Sequence, residues 1–411
     1  MKLLHINFVY PSGSTGKLVH SIHNYSIQQG CESFVLYGRG AVCSEPQTKK
    51  FCSNIESYAH TALVKLGLSL DYGGTPISTY KVLKFIKSYK PDIVHLHCLN
   101  GSCVNLYKLL SFLGEHKIKT VITHHAEFYY TGTCPHAFDC LQFTESPGCM
   151  NCTTPNSSTR SHKPGIAKRS WKEMAKAFQS FNTNDLYNIA VSPWVESRAR
   201  ISSILKIRNN ITILNGVNTS IFCNRKNKDI FAKWVTANDR KIVLHVAAHF
   251  STSKADNKGG FFILQLAEKN LDIDFFIVAS RISKIDSTAL PPNVHVIGRA
   301  NHQEQLAQFY SNADLTIITS RRETFSLICA ESLCCGTPVV GFEAGGPESI
   351  GIAEYSQFVE YGNLSALNEA IHNMLQKNVD KTMVSSQAHN KYSDERMNQQ
   401  YFDLYKSILE K

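Results

Sequence analysis

Short β-branched runs alternate with stretches of helical periodicity along almost all of this 411-residue chain, and that alternation restricts its fold more than any other feature. Strand, helix and parallel strand close as a right-handed crossover, so a repeated series yields parallel sheets with helices on both faces. The first series reads as strands at residues 2–9, 32–37, 92–96 and 120–123, with helices at 16–29 and 79–89. Residues 189–192 read as its last strand, followed by a helix from Val195. A second series has strands at 241–248, 275–279, 294–297, 315–318 and 339–341. The length exceeds what one core sustains, so two doubly wound α/β domains are expected, meeting near Asn215 and Gly216. Their expected bounds are 1–215 and 216–390. Residues 391–411 read as a terminal amphipathic helix, with Tyr401, Phe402, Leu404, Tyr405, Ile408 and Leu409 on one broad apolar face.

The densest chemical signal lies in the second series. Glu323-Thr-Phe-Ser-Leu-Ile-Cys-Ala-Glu331 follows the strand at 315–318 and precedes Gly336-Thr-Pro338 and the pair Gly345-Gly346. Residues 326–335 contain no helix breaker, so the unit reads as strand, loop and helix. A helix start offers unpaired N–H groups and partial positive charge, which suits the amides around Ser326 and Leu327 to a phosphate. Glu323 then stands before the helix and Glu331 about two turns along, on the order of 12 Å of rise. Carboxylates so spaced suit the hydroxyls on either side of a diphosphate, as in a nucleotide sugar. The plainer alternative puts Glu331 on a solvated helix face and makes Glu323 a charge that favours the dipole.

This run resembles the Glu-x7-Glu signature of the retaining glycosyltransferases of family 4, which have the GT-B fold. Phe325, Ser326, Gly336, Pro338 and Gly345-Gly346 also fall where that family's pattern puts them. The resemblance implies two Rossmann-like domains around a cleft, with a C-terminal helix crossing back to the first. It also implies that Glu323 contacts the donor sugar and Glu331 the nucleotide ribose.

Ligands of open parallel sheets bind beyond the carboxyl ends of the strands. After the first strand comes Gly13-Ser14-Thr15-Gly16, a small-residue loop that leads into a helix and lacks the spacing of a Walker loop. It is similar to a loop of bacterial colanic acid and O-antigen type glycosyltransferases, which implies contact with the donor diphosphate or the acceptor. His95, His97, His124 and His125 follow the middle strands. The family's sugar-facing histidine corresponds to His125. Relatives carry aspartate next, whereas this chain has Ala126, with Glu127 as a substitute; His97 reads as positioning or structural. In the second half, Lys258 matches the family's phosphate-binding lysine. The family's arginine is missing, and His249 and Lys254 are the replacements at hand. Asp272-Ile-Asp274 has the form of a metal motif, but it stands at the start of a strand and reads as a surface turn.

Lys and Arg total 43 against 33 Asp and Glu, a net charge of +10. Residues 160–208 concentrate that excess in a stretch suited to anionic lipid heads, lipid-linked diphosphates or, less well, nucleic acid, with solvated helix faces as the equal alternative. No nucleic-acid recognition motif accompanies it. No segment is apolar for a membrane span, and the N-terminus reads as a strand rather than a signal peptide, so a cytoplasmic protein is expected, with peripheral contact at the inner membrane. Thirteen cysteines then imply mostly reduced thiols. Cys134, Cys140, Cys149 and Cys152 cluster in the segment 131–155 and suit a structural zinc, with free thiols or disulfides as the alternatives. No cofactor is expected for catalysis. The sequence therefore reads as a metal-independent, retaining hexosyltransferase that uses a nucleotide diphosphate sugar and a lipid-linked glycan acceptor. A GT-B epimerase or phosphorylase, or a non-catalytic nucleotide-sugar-binding subunit, are the alternatives.

Overall fold

The computed structural model describes residues 1–154, 159–161, 163–205, 209–225, 227, 229–234, 240–283 and 290–410. Lys206 and Arg208 of the basic stretch, and Pro155 at the end of the cysteine-rich segment, lie outside the described residues. The chain divides into two compact units, Met1–Leu214 with Met397–Lys411, and Asn215–Arg396.

The first unit runs β1 (Lys2–Val9), α1 (Gly13–Gln28), β2 (Glu32–Arg39), β3 (Thr48–Lys50), α2 (Asn54–Lys65), α3 (Pro76–Tyr89), β4 (Ile93–Leu96), α4 (Leu106–Glu115) and β5 (Lys119–His124). It continues with α5 (Phe128–Thr131), α6 (Ile166–Gln179), β6 (Leu186–Ala190), α7 (Pro193–Ile201) and β7 (Asn209–Thr212). The strands form one sheet in the order β3-β2-β1-β4-β5-β6-β7. Every pairing is parallel. The strand expected to end this series is not the last. Asn209–Thr212 adds beyond it in register with Tyr187–Ala190, and its polar Asn-Asn start hid it from a hydrophobic reading.

The last helix of the chain, α14 (Asp394–Leu409), closes this unit's core. Met397, Tyr401, Tyr405 and Ile408 pack in one cluster with Leu3, Ile22, Ile93, Val121 and Ile189. Leu409, expected on the same face, is exposed at the helix end. The tyrosine hydroxyls also satisfy a polar interior. Tyr405 meets His95 Nδ1 at 2.6 Å, and Tyr401 meets Thr123 Oγ1 at 2.9 Å. His95 Nε2 lies 2.8 Å from the same Thr123 oxygen, and His5 Nδ1 lies 3.3 Å from His97 Nε2. His97 is fully buried among these rings.

Glu127 does not stand in for the aspartate missing at Ala126. It is wholly buried, with Oε1 2.6 Å from Arg198 Nε and Oε2 accepting from the Ala137 amide at 2.7 Å. Its charge is consumed in tying the start of α5 to α7 and to the cysteine-bearing loop.

The second unit runs β8 (Lys241–Phe250), α8 (Gly260–Lys269), β9 (Ile273–Ile282), β10 (Val294–Gly298), α9 (Gln303–Asn312), β11 (Leu315–Ile318) and α10 (Leu327–Cys334). β12 (Val339–Phe342), α11 (Gly346–Ile350), β13 (Ser356–Val359), α12 (Leu364–Gln376) and α13 (Lys381–Tyr392) complete it. Its sheet order is β10-β9-β8-β11-β12-β13, again parallel throughout. The Asp272-Ile-Asp274 reading needs correction. Asp272 is exposed, but Asp274 is buried inside β9, 3.3 Å from Arg240 Nε and 3.0 Å from His295 Nε2. It is a paired structural carboxylate. Val217 donates to the Tyr392 carbonyl at 2.7 Å and accepts from the Asp394 amide at 3.0 Å, so the two places where the chain joins this unit are adjacent. Among the described residues, no helix is long and apolar enough to cross a membrane.

Burial holds His5 down to about 3 and His124 to about 4, and pushes His95 and His97 well below the ordinary imidazole range. These rings stay neutral in the folded chain while the unfolded chain takes up protons below about pH 6.5. Their contribution is therefore complete above that pH and is lost as pH falls toward the folded values. The calorimetric Tm is expected to drop between pH 7 and pH 5.5, above the carboxylate range. His124→Gln should flatten the slope by up to about 1.4 kcal/mol per pH unit; an equal slope in both proteins would contradict the assignment. Separately, Arg198→Ala strands the Glu127 carboxylate in the interior, and denaturant unfolding should show a loss of about 3–5 kcal/mol.

Candidate functional site

Each sheet reverses its strand order once, and the loops that leave the two strands flanking that reversal must rise side by side. In the second unit these strands are β8 and β11, followed by loops at residues 251–259 and 319–326. There Lys258 Nζ meets Glu323 Oε1 at 2.5 Å. Backbone bonds fix the approach. Thr319 Oγ1 donates to the Lys258 carbonyl at 2.9 Å, and the Arg321 amide donates to the Asn257 carbonyl at 2.8 Å. Gly259 has φ +70°, and a Cβ there would strike the Thr319 carbonyl. Beneath, His245 on β8 is pushed down to about 4, by burial first and by the Lys258 charge in addition, so the floor of the site is neutral.

Glu323 is also held from the other side. Its amide donates to the Ala344 carbonyl at 2.9 Å and its carbonyl accepts from the Gly346 amide at 2.8 Å. Only glycine fits at 346, since an added Cβ would lie 2.5 Å from the Phe325 nitrogen. Ser326, at φ +74°, caps α10 by accepting from the Cys329 amide at 3.3 Å, and Leu327 is the first helical residue. Glu331 is consequently the fifth residue of α10, just over one turn along and not two. It is partly exposed, and the hydroxyl of buried Tyr310 donates to Oε2 at 3.2 Å. This carboxylate is therefore oriented, which a merely solvated helix face would not require.

Lys258, Glu323, Ser326 and Leu327 thus lie on two facing loops and one helix tip, with Glu331 one turn further. His249 is not brought to the Lys258–Glu323 pair: Nε2 is 2.9 Å from Ser283 Oγ and Nδ1 is 3.8 Å from Asp256. The Lys254 ammonium sits 4.9 Å from the centre of the Phe261 ring. Both expected replacements for the missing arginine are held by other partners. Arg321 and Arg322, which sequence reading passed over, lie in the Glu323 loop itself; their adjacency to that glutamate was the available signal.

In the first unit the reversal falls between β1 and β4. Gly13, Ser14, Thr15 and Gly16 form the first turn of α1, which starts three residues earlier than expected, and the Ser12 side chain makes no capping bond. Their amides keep the anion-binding potential of an uncapped helix start. Asn7, to which the sequence reading gave no role, fastens this corner. Its Nδ2 donates to the Val9 carbonyl at 2.8 Å and to Thr15 Oγ1 at 3.4 Å, and its Oδ1 accepts from the Cys98 amide at 3.0 Å. His125 follows β5, partly exposed, with its ring stacked 5.8 Å from that of His97. Burial, and then His124, hold it down to about 3, so it is a neutral hydrogen-bonding group at neutral pH.

Cys134, Cys140, Cys149 and Cys152 share one looped segment. Burial and the neighbouring thiols push Cys134 up strongly and Cys149 up to about 12. Cys149 donates to the Thr131 carbonyl at 3.6 Å. Four soft donors of this kind suit zinc. Among the described residues, however, the group of three or more such side chains whose donor atoms all lie within 4.8 Å of one another is His5, His95 and His97, and the four thiols do not form one.

Comparison with known proteins agrees with this architecture. Residues 227–391 match the family model described as glycosyl transferases group 1. WcaC of Escherichia coli K12, a protein assigned by name to glycosyl transfer in colanic acid biosynthesis, is 22% identical over 99% of this chain and 100% of its own length. The N-acetyl-alpha-D-glucosaminyl L-malate synthase of Bacillus anthracis is 20% identical, but the alignment spans only 48% of this chain and 54% of that enzyme. Among solved structures, Anabaena Alr3699/HepE in complex with UDP superimposes with a TM-score of 0.65 at 14% identity, over 99% of this chain and 100% of that one. Residues 227–391 are therefore similar to the group 1 glycosyl transferases, and the chain has the GT-B fold.

Proposed function

We propose that this chain is a retaining hexosyltransferase that moves a sugar from a nucleotide diphosphate donor to a lipid-linked glycan at the cytoplasmic face of the inner membrane, in surface-polysaccharide assembly. The observation that carries the reading is the Lys258–Glu323 pair, held at 2.5 Å by the two loops of the switch point beside the tip of α10. The UDP in the HepE structure and the colanic acid assignment of WcaC support the donor and the pathway class.

The roles follow from the chemistry of each group. Lys258 and the first amides of α10 take the donor diphosphate, with Arg321 and Arg322 in place of the absent arginine. Glu323, released from Lys258, accepts from hydroxyls of the transferring sugar, and Glu331, oriented by Tyr310, accepts from the ribose. His125 is neutral and hydrogen-bonds the sugar without adding charge. The uncapped turn at Gly13–Gly16 takes the acceptor phosphate. As the sugar carbon leaves the diphosphate, the acceptor oxygen bonds to it on the same face, and the departing phosphate oxygen receives the acceptor proton. Positive charge on Lys258 and the helix amides stabilises that leaving group without a metal ion. We further assign a structural zinc to the four cysteines, whose loop would tighten around it.

A panel of nucleotide sugars, with released nucleoside diphosphate as the readout in the presence of EDTA, tests the activity. Lys258→Ala should weaken nucleoside diphosphate binding by about 10- to 100-fold, the range of one charge-assisted contact. Glu323→Gln should retain nucleotide binding and lose turnover by a factor of about 100 or more. Free epimer or sugar phosphate formed without acceptor would point to an epimerase or phosphorylase, and binding without turnover to a non-catalytic subunit. Elemental analysis should find one zinc per chain, lost in Cys149→Ser and kept in His97→Gln; the converse would move the metal to the histidines.

A further inference from the structure

Helix α2 is built inside out. Ile55, Tyr58, Ala59, Ala62, Leu63 and Leu66 recur at helical spacing, yet all of them are exposed, Ile55 at 83% and Leu66 at 70%. The face turned inward carries Ser57, His60 and Val64. Ser57 accepts from Arg39 Nη1 at 3.2 Å, and His60 Nε2 lies 3.1 Å from the Leu70 carbonyl. Single exposed apolar residues are ordinary, but a continuous stripe on one helix is not.

The stripe extends onto α3. Glu56 accepts from the amides of Ile77 and Ser78 at 2.8 and 3.1 Å, which locks the start of α3 against α2 and brings exposed Ile77 and Tyr80 beside the stripe. Leu68, in the turn that leaves α2, is 69% exposed. Basic residues surround this apolar patch. Exposed Lys81 and Lys84 follow Tyr80 on α3, and Lys163 lies against Gly67. Lys81 also lines, with Lys49, Lys50 and the α2 cap Ser53, a pocket of about 480 Å³. The nearby acids are occupied inward: Glu56 by the α3 amides, and buried Asp71 by Arg160.

We propose that this α2–α3 face docks on an anionic phospholipid bilayer. The apolar stripe enters the headgroup boundary, as an amphipathic helix lying in the interface does, and the lysine pocket holds a lipid phosphate. Charge complementarity selects this occupant, because an apolar partner alone would leave the lysine rim unmatched. The membrane contact is thereby centred on α2 and α3, with Lys163 of the basic stretch 160–208 at its rim. It deepens the lipid-linked acceptor reading, but it rests on this surface alone.

Vesicle flotation of the full chain tests it, with phosphatidylcholine alone and with phosphatidylcholine mixed with phosphatidylglycerol. The wild type should bind the mixed vesicles at least about tenfold more, with the preference screened by salt. Ile55→Asp with Leu66→Asp should abolish flotation, while Lys49→Glu with Lys81→Glu should remove the phosphatidylglycerol preference. Both variants should keep the wild-type Tm and, on a water-soluble acceptor, the wild-type turnover, so failure to float and failure to transfer sugar are separate results. A wild type that stays off both vesicles, or one whose light-scattering mass is a dimer that Ile55→Asp with Leu66→Asp converts to monomer, would overturn the proposal in favour of no partner or a second copy.

Discussion

The chemistry of the second unit depends on one topological constraint, the reversal of strand order between β8 and β11. Parallel strands whose helices leave toward opposite faces cannot fill the space between their first loops with chain, so those loops face one another across an opening. Here the opening is bridged by an ammonium and a carboxylate, Lys258 and Glu323. Each is anchored through its own backbone: the Lys258 carbonyl to Thr319, and Glu323 to Ala344 and Gly346. The side chains can therefore exchange partners while the loops keep their shape, which is what a preorganised site requires.

The first unit answers a different demand. Its central strands carry His5, Asn7 and His95, with His97 just past the end of β4, at buried positions where a parallel sheet ordinarily places aliphatic residues. Asn7 is justified by the corner it ties together, and His95 by hydroxyls from β5 and α14. The terminal helix is thus more than an apolar cover: Tyr405 supplies a polar partner to a buried ring, and Tyr401 supplies one to the threonine beside it.

Both the series of strands and the position of Glu323 are legible in the sequence because they rest on local signals, β-branched runs and a breaker-free helix after a glutamate. What escaped has a common cause. β7 and β3 are short polar strands, stabilised by a parallel neighbour and not by their own pattern. Asp274 looked like a turn because its partners, Arg240 and His295, lie 34 and 21 residues away in sequence. His249 and Lys254 were proposed by proximity along the chain, whereas their side chains settled on Ser283 and Phe261. Glu127 went the same way, since nothing beside it announces Arg198. Long-range pairing of charges is the information that a single sequence withholds.

The Lys258–Glu323 contact also bears on selectivity. The two side chains are 32% and 18% exposed, so water compensates only part of the charge on either one when its partner is removed. A small phosphate that captured Lys258 would leave the Glu323 carboxylate without a counterpart. A bare sugar that captured Glu323 would do the same to Lys258. On the proposed function, a nucleotide sugar would present a diphosphate to the lysine and hydroxyls to the glutamate in one molecule, so both groups would exchange partners together. Discrimination against half-ligands then arises from the cost of an unpaired charge, without any steric filter. On the proposed function, the carboxylate and ammonium that pair with one another are the same two groups that would require the ligand to be complete.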